Sequence, residues 1–189
     1  MPKMSLNKTI FSLIIIAVLL SCNSETLPKP KSYLKLQYPE TTYNTLNSDC
    51  PFSIEISRNA TVSVQENCWL SINYPTMNAK VHLTYRKVDN NLLEILREIE
   101  KLTFEHTVKA DAIPDARPYE DYSKKVFAKL YNIEGNVATN VQFRATDSVN
   151  HVLAGALYFY AKPNYDSILP AVKYIEKDII HLVETLKWK

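Results

Sequence analysis

The 189-residue sequence predicts one α+β domain, a mostly antiparallel sheet with two long helices packed on it. Three observations carry that expectation. Several short stretches alternate apolar and polar residues, as half-buried strands do. Two longer stretches place apolar residues at helical spacing. The links between successive strand-like stretches are short enough for hairpins, which favours antiparallel over parallel pairing. Hydrophobic residues make up 46% and charged residues 22%, which excludes both a disordered chain and a multi-span membrane protein.

The first segment reads as targeting rather than fold. Lys3 and Lys8 form a basic start, and Ile10 to Leu20 is an apolar run broken only by Ser12. That run is short for a membrane span and suits a signal-peptide core. Leu19-Leu20-Ser21-Cys22 then has the pattern of a bacterial lipobox, with cleavage before Cys22 and diacylglycerol on its thiol. The competing reading is an uncleaved anchor with an incidental cysteine. The order of charge, run, small residue and cysteine favours the lipoprotein. At roughly 0.8 kcal/mol per buried methylene, a multiply acylated cysteine holds a domain on a membrane essentially permanently. Residues 1–21 are therefore expected to be removed. Residues 22–32 form a lipidated, extended tether with Pro28 and Pro30, and residues 33–189 form the globular domain. Asn23 is not the aspartate that retains many lipoproteins in the inner membrane, which leans toward the outer membrane.

The charge balance follows from the same cut. The full chain has 22 basic and 20 acidic residues, and removing Lys3 and Lys8 leaves 20 against 20. A neutral domain gives no electrostatic case for nucleic acid. With Cys22 lipidated, Cys50 and Cys68 remain. In an oxidising compartment they suggest one disulfide, closing a loop of 17 residues and worth about 3 kcal/mol. Two buried thiols that never meet are the alternative.

Within the domain, Ser53–Ser57 and Thr61–Gln65 read as strands that could fold back on one another about Arg58-Asn59-Ala60. Trp69–Tyr74 and Lys80–Lys87 are the next strands. In the latter, Val81, Leu83 and Tyr85 face one way and His82, Thr84 and Arg86 the other. A helix capped by Asp89 or Asn90 follows, with Leu92, Ile95, Leu96, Ile99, Leu102 and His106 on one face. Lys109–Lys124 reads as a long irregular loop. Strands return at Lys125–Ile133, Val137–Thr146 and His151–Ala161. The last is apolar on both faces and is expected at the centre, covered on both sides. The final helix, capped by Asp166 or Ser167 with Pro170 in its first turn, buries Ile168, Val172, Ile175, Ile179, Leu182 and Leu186. Tyr174, Asp178 and His181 point elsewhere. By element order alone this resembles the PsbP-like and Mog1-like sandwiches, which are mainly binding or assembly proteins.

Chemistry is sparse. Two glycines, Gly135 and Gly155, cannot supply a Walker loop, a dinucleotide turn or a G-x-S-x-G elbow. His82, His106, His151 and His181 lack zinc-ligand spacing, so no metal is expected. Asp111, Asp115, Glu120 and Asp121 lack the ligand spacing of a calcium loop. Ser148 and His151, beside Asp147, admit a hydrolase or ligand-binding reading, but Asp and Ser are also what a hairpin turn uses. No catalytic residue and no cofactor is expected. Of the twelve tyrosines, Tyr119, Tyr122 and Tyr165 fall in predicted loops and are candidate partner contacts.

The chain resembles the gliding motility lipoprotein GldD family of Bacteroidetes over nearly all of its mature length. The likeness rests on Cys22, Pro28-Lys29-Pro30, Cys50-Pro51-Phe52, Cys68-Trp69, Asn73-Tyr74-Pro75 and His82-Leu83-Thr84-Tyr85. It continues through Lys109-Ala110-Asp111, Gly135-Asn136-Val137-Ala138, Gln142-Phe143, Gly155 to Ser167 and Glu184 to Trp188. The resemblance implies a non-enzymatic envelope lipoprotein needed for gliding and tied to the type IX secretion machinery. Its implied partners are the membrane, through Cys22, and other gliding or secretion proteins. Cys22 alone carries over with a role.

Overall fold

The computed structural model describes residues 37–105, 110–114, 116–160 and 164–189. The signal segment, the tether and Cys22 lie outside these, as do His106 and Asp115. Tyr33–Lys189 forms one compact unit. Its strands are β1 (Tyr43–Thr45), β2 (Phe52–Ser53), β3 (Glu55–Ser57), β4 (Thr61–Val64), β5 (Leu70–Tyr74), β6 (Ala79–Lys87), β7 (Arg117–Asp121), β8 (Val126–Asn132), β9 (Thr139–Thr146), β10 (His151–Phe159) and β11 (Lys187–Trp188). The helices are α1 (Leu92–Glu105) and α2 (Tyr165–Thr185).

Seven strands make one antiparallel sheet in the order β4-β5-β6-β10-β9-β8-β7. The α+β architecture expected from the sequence is therefore present. β10 sits at the centre, where its two apolar faces require it. Successive β10 residues point to opposite faces. Leu153 and Leu157 join Leu83, Phe143, Val172, Ile175 and Ile179 in the main core, on the α2 side. Val152 joins Val88 and Ile95 in a smaller cluster flanked by Leu92, Leu96 and Ile99, on the α1 side. The two helices thus cover opposite faces, and α1 covers its face less completely: Leu102, expected inside, is exposed.

Several local expectations are corrected. The segments 53–57 and 61–65 do not pair with each other. β3 pairs with β1, and β4 pairs with β5 to extend the sheet. Ile54 and Ile56 are buried in the main core, and the Glu55 N–H donates to Thr185 Oγ1 of α2 at 3.1 Å, so this stretch lies along α2. The region read as a loop over Lys109–Lys124 contains β7. Its Pro118 disguises a strand, which is tolerated because an edge strand does not need every N–H. The residue before α1 is Asn91, whose carbonyl accepts from Ile95 N–H, while Asn90 takes a left-handed turn conformation. Asn164 precedes α2, so Pro170 falls beyond the first turn.

The side of α2 that helical periodicity assigns to solvent is covered. Residues 38–45 lie over it: Tyr38 stacks on Tyr174, Tyr43 stacks on His181, and Tyr43 donates to Asp178 at 3.0 Å. Asp178 is buried.

Cys50 and Cys68 form a disulfide with Cα atoms 5.5 Å apart. It fastens the turn between β4 and β5, where Asn67 and Cys68 both take positive φ, to the segment leading into β2. Replacing both cysteines by serine is expected to lower stability by about 2–3 kcal/mol, less if the unfolded chain keeps residual structure. Urea unfolding of oxidised protein against the double variant measures this. Equal midpoints would remove the bridge from the account of stability.

Candidate functional site: an open trough beside helix α1

The incomplete cover on the α1 side leaves a cleft of about 740 Å³. Its floor follows from strand register. On β10 the residues facing α1 are Val152, Ala154, Ala156 and Tyr158. Ala156 stands between His82 of β6 and Gln142 of β9, and Ala154 stands between Thr84 and Arg144. Two alanines at the centre of the sheet cannot fill the space between their longer neighbours, so the floor is sunken. Glu98, Ile99 and Leu102 of α1 form one wall, and Asn67 and Trp69 form the opposite lip. Leu102 and Trp69 are 53% and 48% exposed, so both lips present apolar surface to the cleft mouth.

The lining is close to uncharged. Arg86 and Glu98 pair with each other. Burial, and then the positive charge of Lys80, lower the His82 pKa, so its ring is neutral at physiological pH. His82 Nδ1 lies 3.2 Å from Ser71 Oγ, and the ring meets Tyr158 edge-on. Burial raises the Tyr158 hydroxyl. Gln142 accepts from Thr103 Oγ1 at 2.9 Å, tying α1 to the floor. The trough can therefore receive apolar and aromatic side chains with a few neutral hydrogen-bonding groups. It has no unpaired charge with which to select an ion.

The residues singled out by sequence fall elsewhere. Tyr119 is on edge strand β7 and partly buried against the main core, not in a loop. Tyr122 follows that strand, 75% exposed, and donates to Glu120. Tyr165 is the first residue of α2, and its N–H donates to Asn136 Oδ1. Tyr119 and Ile180 line a smaller cleft of about 190 Å³. Ile180 is fifteen residues along α2 from Tyr165, about 22 Å of helix, so the three tyrosines do not form one patch.

Ser148 and His151 are occupied by turn and packing roles. Asp147 Oδ1 accepts from the N–H groups of Val149, Asn150 and His151, and the Ser148 N–H donates to Thr146 Oγ1. Burial pushes the Asp147 carboxyl up, but those donors outweigh it and hold it below its usual range. The His151 ring meets Tyr85 Oη at 2.8 Å through Nδ1 and stacks on Trp188. Among the described residues, no group of three or more His, Cys, Asp or Glu is placed to hold a metal, and no helix is long and apolar enough to cross a membrane.

No sequence pattern marks the trough, because it is made of absent volume. The available clue was Ala154-Gly155-Ala156 in a strand whose position is central. Trp69, His82, Thr84, Gln142, Ala156 and Tyr158 come from separate stretches of the chain, yet all meet here.

The model of the family described as gliding motility lipoprotein GldD matches residues 23–188. This chain belongs to the GldD family. The match takes in every strand and helix described above, the trough included. As a GldD-family lipoprotein, the chain is a membrane-anchored envelope protein, of a family defined by gliding motility rather than by a reaction. No curated protein matches the chain. Among solved structures it is similar to the solution structure of cyanobacterial PsbP (CyanoP) from Synechocystis, at 4% identity and a TM-score of 0.49, covering 84% of this chain and 98% of that one.

Proposed function

We propose that this protein supports gliding by binding another envelope protein, in assembling or stabilising the type IX secretion machinery. It is held by lipid on Cys22, with residues 1–21 removed and residues 22–32 as tether, facing the periplasm from the outer membrane. The observation that carries the binding role is the trough: an open, nearly uncharged depression floored by Ala154 and Ala156, with exposed Trp69 and Leu102 at its lips. Apolar surface of this kind at a concave site suits the side chains of a protein partner. Tyr122, Tyr119 and Tyr165 are proposed as secondary contacts outside it.

The test is complementation of a deletion strain with the full-length protein. Ala156→Leu fills the trough from a half-exposed floor position and is expected to abolish single-cell movement on glass with normal protein levels. Trp69→Ala is expected to reduce movement, and Cys22→Ala to abolish it. Ser148→Ala is expected to leave movement intact. Normal gliding by Ala156→Leu and Trp69→Ala would remove the trough from the function, and loss of movement by Ser148→Ala at normal protein level would favour the enzymatic alternative.

A further inference from the structure

We infer that the free edge of β4 is a strand-addition site, where an extended, uncharged segment of a partner envelope protein joins the sheet. This rests on the partner-binding reading above and states how the partner's backbone is held.

β4 ends the seven-stranded sheet on the side of the trough's Asn67–Trp69 lip. Its outward groups follow from its pairing. Gln65 N–H donates to the Trp69 carbonyl at 2.7 Å, so that pair is hydrogen-bonded. Antiparallel pairs alternate, and Thr61, Ser63 and Gln65 therefore point their backbone groups inward to β5. Val62 and Val64 point theirs outward. Among the described residues no other strand pairs with β4.

The two edges of the sheet are built differently. β7 carries Arg117, Pro118, Glu120 and Asp121, the charges and proline that blunt an edge against added strands. Arg117 is also engaged by Glu176 of α2. β4 reads Thr61-Val62-Ser63-Val64, with no charge and no proline. Its apolar side chains continue the core stripe of the sheet. Val62 lies beside Ile72 and Val81, while Val64 lies beside Leu70 and Leu83 yet is 48% exposed. A further strand would cover Val64 and satisfy the outward groups of both valines. The Cys50–Cys68 bridge holds the turn that follows β4, so the template is fixed before binding.

The occupant is a segment rather than a second copy. Four residues span about 13 Å. Two rigid domains meeting on so short an edge would bury far less than the roughly 800 Å² per partner of a stable interface. A flexible segment can leave the edge, cross the Trp69 lip and place side chains in the trough. Such strand addition draws affinity from main-chain hydrogen bonds and specificity from alternate side chains.

The experiment is photo-crosslinking in gliding cells, with a benzophenone amino acid replacing Val64, Leu102 or Glu120 in the full-length protein. The Val64 probe is expected to join one envelope protein other than this chain, at an uncharged run of its sequence; the Glu120 probe is not. Val62→Pro, which deletes an outward N–H and leaves the ladder to β5 intact, is expected to lower the yield about tenfold. Val62→Ala, which keeps that N–H, controls for lost packing and should preserve most of it. A Val64 crosslink to a second copy, or equal yields from Val62→Pro and Val62→Ala, overturns the inference. Crosslinks from Leu102 without any from Val64 overturn it while sparing the trough, and none from either position overturns both.

Discussion

Gly155→Ala is expected to destabilise the domain by more than about 3 kcal/mol, beyond the usual range for an added methyl in a core. Gly155 lies on β10 directly between Phe143 of β9 and Leu83 of β6. A Cβ there would lie 2.2 Å from Phe143 Cε1, 2.7 Å from Cζ and 2.8 Å from Leu83 Cδ2. Both neighbours are almost fully buried at the centre of the sheet, so displacing either one costs it packed contacts. The glycine therefore serves packing: its missing side chain is the seat of the Phe143 ring on the α2 face. The alanines on either side of it do the opposite on the α1 face, where their small size leaves the trough open. Phe143→Leu vacates the ring position at its own cost. The pair Gly155→Ala with Phe143→Leu should be more stable than the sum of the single effects by roughly 1–2 kcal/mol. Urea unfolding of the three variants decides this, and a Gly155→Ala midpoint equal to the natural one would refute the packing account.

What the sequence made legible was whatever local pattern fixes. Alternation at Val81, Leu83 and Tyr85 located β6 and its inner face. The doubly apolar run from Val152 placed β10 at the centre, and helical spacing found α1 and α2. Export, read from Cys22, turned Cys50 and Cys68 into a bridge. The failures share one cause, since each depends on what lies opposite in space. Arg117-Pro118-Tyr119-Glu120-Asp121 has the composition of a loop and becomes a strand because β8 offers it an edge. Asp178 falls on the polar side of a helical wheel and is buried because residues 38–45 fold back over that side. The trough depends on how far α1 reaches across the sheet, which no periodicity encodes. Tyr119 has the sequence surroundings of a loop yet lies on strand β7, whereas Trp69 owes its place at the trough to a bridged turn.

Removing the Asp178 carboxylate is expected to be the most damaging polar change, with Asp178→Ala costing roughly 3–5 kcal/mol at neutral pH. The carboxylate is 4% exposed and accepts from Tyr43 at 3.0 Å and Tyr74 at 3.0 Å. These contacts join α2 to β1 and β5, and alanine leaves the buried Tyr74 hydroxyl without its acceptor. Tyr74→Phe, which leaves the carboxylate its other donor, should cost about 1–2 kcal/mol. The pH dependence has two limbs. Burial raises the Asp178 pKa against the opposing effect of its hydroxyl donors. The folded state therefore holds that proton more tightly, and this group's contribution to stability is greatest below its unfolded value of 3.8 and falls as pH rises through its folded value. At the alkaline end, burial and then the Asp178 charge push Tyr43 up to about 12 and Tyr74 higher still. An unfolded tyrosine ionises near 10, so above about pH 10 the unfolded chain releases protons that the folded chain retains, and stability falls. In Asp178→Ala the charge is gone and burial remains, so the alkaline decline should persist in weaker form while the acid-side decline attributed to Asp178 disappears. Urea midpoints at pH 4, 7 and 10.5 for the natural chain, Asp178→Ala and Tyr74→Phe test this. If Asp178→Ala unfolds at the natural midpoint at pH 7, or both proteins decline equally across the alkaline range, the buried carboxylate is not the tie between α2 and the strands that its contacts indicate.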